Sequence, residues 1–195
     1  MTAREFLLHR RLRWLTLFFI AALVASGLTA IPLETELNWL VNWTGADGAG
    51  KAPTPGEAPG WAAWLVRIRD ALAETNARHP FIAYGLDWLA FGHVVIAIAF
   101  LGALRDPVRN RWLYDFGLIA CVLLVPWAFA FGGLRGIPVG WRLIDCAFGV
   151  FGFLPLWLCR RWARELEAND AAQANSSPRI VPVAEANLSV SRLKR

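Results

Sequence analysis

The chain has 195 residues, 56% of them hydrophobic and only 18% charged, with eleven tryptophans and twelve phenylalanines. A soluble domain is roughly 45–50% apolar and about a quarter charged; here the apolar residues also fall in long blocks, which excludes an ordinary soluble domain and points to membrane spans. The formal charge of +5 does not indicate a nucleic-acid binder, because the basic residues flank those blocks, in "LLHRRLRW", "LRDPVRNRW" and "LCRRWAR", as they do at the ends of membrane helices.

The first block, residues 14–31, is "WLTLFFIAALVASGLTAI" and carries no charge. About 18 apolar residues suffice to cross the hydrocarbon core. A basic start and an apolar run also describe a signal peptide, but the block is longer and bulkier than a signal core usually is, so it is read as an uncleaved first span. Residues 32–80 form a long loop. Its middle, "TGADGAGKAPTPGEAPG", is linker-like, and on either side lie tryptophan-bearing pieces with Trp39, Trp43, Trp61 and Trp64. In the second piece Trp61, Trp64, Leu65, Ile68 and Leu72 recur at helical spacing. Such a helix either lies on the membrane–water boundary, with the four indoles as anchors, or packs over the mouth of the bundle.

The second span is expected over residues 84–104. Asp106 and Pro107 follow it and read as an N-cap with proline in the first helical position. The third span is expected over 112–131, bent at Pro126, and the fourth over 139–159. From Glu167 onward the chain turns polar and low in aromatics, so residues 167–195 are read as a disordered tail. With four crossings, three arginine groups fall on one side: Arg4, Arg10, Arg11 and Arg13; Arg105, Arg109 and Arg111; Arg160, Arg161 and Arg164. The positive-inside rule then places both termini in the cytoplasm of a bacterial-type inner membrane and loop 32–80 outside. The expected fold is all-α, with a four-helix membrane bundle in residues 1–166 and one or two interfacial helices in the outer loop.

An ionisable residue near the middle of the bilayer costs roughly 2.5–3.5 kcal/mol on insertion scales, so each needs a partner or a purpose. On the fourth span Arg142, Asp145, Gly149 and Gly152 follow steps of three, four and three and share one stripe. The glycines are candidates for close helix packing. On the second span Asp87, Ala90, Val94 and Ala97 make a small-residue stripe that can meet the fourth helix, and His93 lies about 120° round the wheel from Asp87. These positions predict a polar cluster of Asp87, His93, Arg142 and Asp145 in the outer half of the bundle. Its plainest role is to fix packing and register; a proton relay through His93 is the sharper alternative. Asp115 and Tyr114, near Arg105, Arg109 and Arg111, are explained by charge pairing at the inner interface.

Haem normally needs a second axial His or Met, and the other histidines, His9 and His79, lie outside the spans, while the one methionine is Met1. No cofactor is therefore expected. Cys121, Cys146 and Cys159 are unpaired in spacing and read as small apolar residues, not as metal ligands. There is no GxxxxGK(S/T), HExxH, GxSxG or redox CxxC. Whether the protein catalyses anything is left open. The expected function is a non-catalytic accessory or assembly subunit, or a binder of a lipid-like or small apolar ligand. Its expected partners are membrane lipids and another membrane protein or a second copy. The rival is a membrane enzyme or proton-coupled carrier built on His93 with Asp87 or Asp145.

Overall fold

A computed structural model describes residues 2–49 and 60–176. Residues 50–59 of the expected linker and 177–195 of the expected tail lie outside the described residues. Six α-helices follow in order: α1 (Ala3–Thr29), α2 (Leu33–Thr44), α3 (Trp61–Arg78), α4 (Tyr84–Arg105), α5 (Arg111–Leu134) and α6 (Val139–Ser176). No strand occurs among the described residues. α1, α4, α5 and α6 are long and apolar enough to cross a membrane, as the blocks predict, and the fold is an integral membrane four-helix bundle with a small helical lobe formed by α2 and α3.

The helices overrun their apolar blocks at the basic ends. α1 starts at Ala3, with Thr2 and Glu5 in a reciprocal capping box that satisfies two of the free backbone donors of the first turn. α6 continues well past Cys159, so residues 167–176, expected to belong to the tail, are helical. This extension is held against the first turns of α1. Leu8 and Leu12 pack with Ala163 and Leu166, Arg4 pairs with Glu165 at 2.5 Å, and Gln173 donates to the buried Glu5 carboxylate at 2.8 Å. The start of the sequence read as tail thus continues a helix already packed at Ala163 and Leu166, and Gln173 ties it to α1 further on.

The α4–α5 connector also departs from expectation. Asp106 does cap, but what it caps is a turn: its Oδ1 accepts from the Arg109 N–H at 2.9 Å, while α5 begins at Arg111 with Asn110 as its N-cap. The Asn110 amide donates back to the carbonyls of Gly102 and Asp106. It closes the end of α4, whose last carbonyls have no partner within the helix.

The best-packed region lies in the half of the bundle nearest the termini and this connector, called here the terminal half; the opposite end carries the lobe. At its centre the Thr16 and Tyr114 hydroxyls lie 2.8 Å apart, and Cys159 Sγ lies 4.0 Å from Thr16. This joins α1, α5 and α6. α4 adds Phe100, whose ring meets Tyr114 edge-on at 6.3 Å and Phe19 at 4.9 Å. Thr16, Phe100, Tyr114 and Cys159 are all at most 2% exposed. Tyr114 is therefore a core tie and not an interfacial charge partner.

Hydrogen bonds between membrane helices contribute about 0.5–1.5 kcal/mol each. Tyr114→Phe and Thr16→Val are each expected to lower unfolding stability in detergent by about that much, and the double variant to lose no more than the worse single one. Additive losses would show that the two hydroxyls do not act together.

Candidate functional site

The four polar residues predicted to cluster are not brought together. The structure pairs α4 with α1 and α5 with α6, with α1 and α6 meeting more narrowly; α4 and α6, which the cluster requires as neighbours, form no substantial pair. The small residues explain this arrangement. Ala90 and Ala97 of α4 are buried, but the backbone they let in is that of α1: a Cβ on Gly27 would sit 2.7 Å from His93 Cβ and 3.0 Å from the Ala90 carbonyl oxygen. On α6, Gly149 and Gly152 do serve close packing, and their guest is α5. A Cβ on Gly149 would lie 2.9 Å from the Cys121 carbonyl oxygen, and one on Gly152 would lie 3.2 Å from Cys121 Sγ.

Each polar residue is then accounted for by its own helix pair. His93 rests on Gly27, and its Nδ1 lies 2.8 Å from the Leu89 carbonyl. A carbonyl only accepts, so Nδ1 carries the hydrogen, and in the neutral ring Nε2 holds the lone pair. Arg142 is half-buried against Gly132 and Gly133 of α5. Its Nε donates to the Ile137 carbonyl at 2.7 Å, so it ties down the α5–α6 turn. Asp87 is exposed near the start of α4. Asp145 is exposed too, and neither carboxylate has a hydrogen-bond or ion-pair partner among the described residues.

Asp145 is the exceptional one. It lies about 9 Å along the helix axis from Val139, the first residue of α6. Its neighbours on the outward face are Ile144, Phe148 and Phe151, at 51%, 68% and 79% exposed. An unpaired carboxylate thus stands on an apolar, lipid-directed surface.

The interfacial anchors divide. Trp39 and Trp43 stack on one another at 5.7 Å and project from α2, and Trp61 projects from the start of α3. Trp64 is half-buried, with the Arg67 guanidinium over its ring at 5.6 Å. The lobe has a small core of Val41, Ala46 and Leu65, which meets the bundle at Trp141 in the first turn of α6. Asn76 donates to Glu34 at 2.6 Å and Arg69 pairs with Asp47 at 2.7 Å, joining α3 to α2 and to the turn after it. Asp70, 2.8 Å from the same guanidinium, and Asp47 together push the Arg69 pKa upward. Apart from the turn that leads into α4, the lobe meets the bundle at Trp141.

Asp115 pairs with Arg160 of α6, not with the connector arginines. In addition, an open groove of about 850 Å³ lies between α1 and α4 in the terminal half. Its α1 wall is Phe6, His9, Arg10, Arg13, Trp14 and Leu17, one helix face whose three- and four-residue spacing was legible but is masked by the surrounding run of basic residues. No group of three or more metal-ligating side chains occurs among the described residues. Comparison with protein families, curated proteins and solved structures gives no match, so any function rests on the chain's own geometry.

The two glycines of α6 make a graded prediction. Gly149→Ala sets a methyl against backbone and is expected to cost about 1–3 kcal/mol of stability. Gly152→Ala meets a side chain that can rotate and should cost less than half as much. Thermal unfolding of the two purified variants checks the order, and equal losses would contradict the packing described.

Proposed function

We propose that this protein is a non-catalytic component of a bacterial-type inner membrane, with both termini cytoplasmic, that works as an accessory or assembly subunit by pairing laterally with another membrane protein. Support for the orientation comes from the arginines. Arg4, Arg10 and Arg13 of α1, Arg105 and Arg109 at the connector, and Arg160 and Arg164 of α6 all belong to the terminal half, and cytoplasmic flanks are the ones enriched in such residues.

The observation that carries the reading is Asp145. An ionised carboxylate facing acyl chains costs roughly 2.5–3.5 kcal/mol at the centre of a span, less towards its end. The chain retains it on a face otherwise made of Ile144, Phe148 and Phe151. A neighbouring helix that supplies a cation or a hydrogen-bond donor removes the cost and gives the contact its orientation. The rival enzyme or carrier would need His93 to meet Asp87 or Asp145. Here His93 faces α1, while Asp87 and Asp145 are exposed on α4 and α6, which do not pair.

A photo-crosslinking residue at Phe148 is expected to give one discrete adduct in intact membranes. The same residue at Val122, exposed on α5, should not. Asp145→Leu should abolish the adduct while leaving the isolated protein as stable as before or more so. An adduct only with a second copy of the chain would replace the accessory role by self-association; an adduct that survives Asp145→Leu would remove the basis of the proposal.

A further inference from the structure

The groove between α1 and α4 is divided by chemistry along its length. Toward the end of the bundle Arg10 and Arg13 of α1 and Arg105 of α4 line it, with His9 beside them and the exposed Phe6 at its outermost turn. Toward the membrane it is apolar, walled by Trp14 and Leu17 of α1 and Leu104 of α4. Trp14 opens the uncharged apolar block of α1 and Leu104 closes that of α4, so the change from cationic to apolar falls at the membrane–water boundary.

The arginines of this end are not all alike. Arg4, Arg111 and Arg160 each have a carboxylate partner, in Glu165, Glu167 and Asp115. Arg10, Arg13 and Arg105 have none among the described residues, and no acidic side chain lines this groove. Asp106 and Asp170 line the smaller cavity beside it, of about 400 Å³, which His9 and Arg105 also border. The Asp106 carboxylate is already engaged with the backbone of the connector. Three guanidiniums from two helices thus line one groove with no ion-pair partner among the described residues, above an apolar wall.

We infer that this groove is a binding site for an acidic phospholipid, whose phosphate is held by Arg10, Arg13 and Arg105 while its acyl chain lies along Trp14, Leu17 and Leu104. Guanidinium groups suit a phosphate because their forked donors match its oxygens two at a time. The indole of Trp14 suits the boundary because its ring takes apolar contact while its N–H stays near water. Since α1 and α4 each supply part of both walls, a bound lipid also spans the seam between them. The inference does not depend on pairing through Asp145.

Native mass spectrometry of the full chain released from nanodiscs of phosphatidylglycerol and phosphatidylcholine tests the site. One phosphatidylglycerol is expected to stay bound in preference to phosphatidylcholine. Each groove arginine removed should weaken retention about fivefold, the ratio for a charge contributing about 1 kcal/mol at a membrane surface. Arg10→Ala with Arg13→Ala should therefore lose the preference. Arg11→Ala with Arg164→Ala removes the same charge outside the groove and should keep it. Arg105→Ala, on the other helix, supplies the same test should the α1 double variant unfold by circular dichroism. Equal loss in the groove and control variants would reduce the effect to general surface charge and overturn the site, as would no loss in either. Displacement by soluble glycerol phosphate at the same concentration as lipid would show that a free phosphate suffices and overturn the lipid assignment.

Discussion

A helix surrounded by hydrocarbon gains nothing by moving a leucine from lipid to protein, so the association of spans depends on how closely two backbones can approach. In this protein that approach is made at a few small residues. Gly27 admits α4 to α1, and Gly149 admits α5 to α6. The result is two tightly set helix pairs, and most other features take their positions from them. His93 faces α1 because Gly27 leaves room for its Cβ. Arg142 crosses to the α5–α6 turn because Gly132 and Gly133 leave room for its side chain.

The two halves of the bundle hold together differently. In the terminal half the pairs are joined by a core that draws on all four spans, around Thr16, Phe100, Tyr114 and Cys159. Ion pairs and the long extension of α6 are added at its edge, outside the apolar blocks, where water permits charged contacts at low cost. Toward the lobe the buried positions are fewer and smaller: Gly27, Ala90, Gly132 and Cys146. That half presents broad apolar faces to its surroundings, and it is there that an unpaired carboxylate, Asp145, meets them.

The lobe obeys the rules of water. α2 and α3 bury one face each against the other, Val41 and Leu65 being at most 1% exposed, and place charged pairs around the contact. Trp39, Trp43 and Trp61 remain outside this core. They belong to the surface the lobe turns away from its own packing. A lobe of this kind needs little support from the bundle, which fits its modest contact at Trp141.

Hydropathy alone determined the number of spans, their order and their limits except at the basic ends of α1 and α6, because in a bilayer every backbone N–H and C=O must be satisfied within the segment and an apolar run can only be a helix. It likewise marked Gly149 and Gly152 as packing positions, since a stripe without side chains has few other uses in a span. Which helix fills that stripe was decided by tertiary structure. Apolar helices carry no hydrophobic stripe to show which face turns inward, so the stripe of α4 is equally suited on paper to α6, as expected, and to α1, as observed. The same degeneracy hid the grouping of Arg10, Arg13 and Arg105. Their residue types are plain in the sequence, but two helices must lie side by side before three flanking charges become one site.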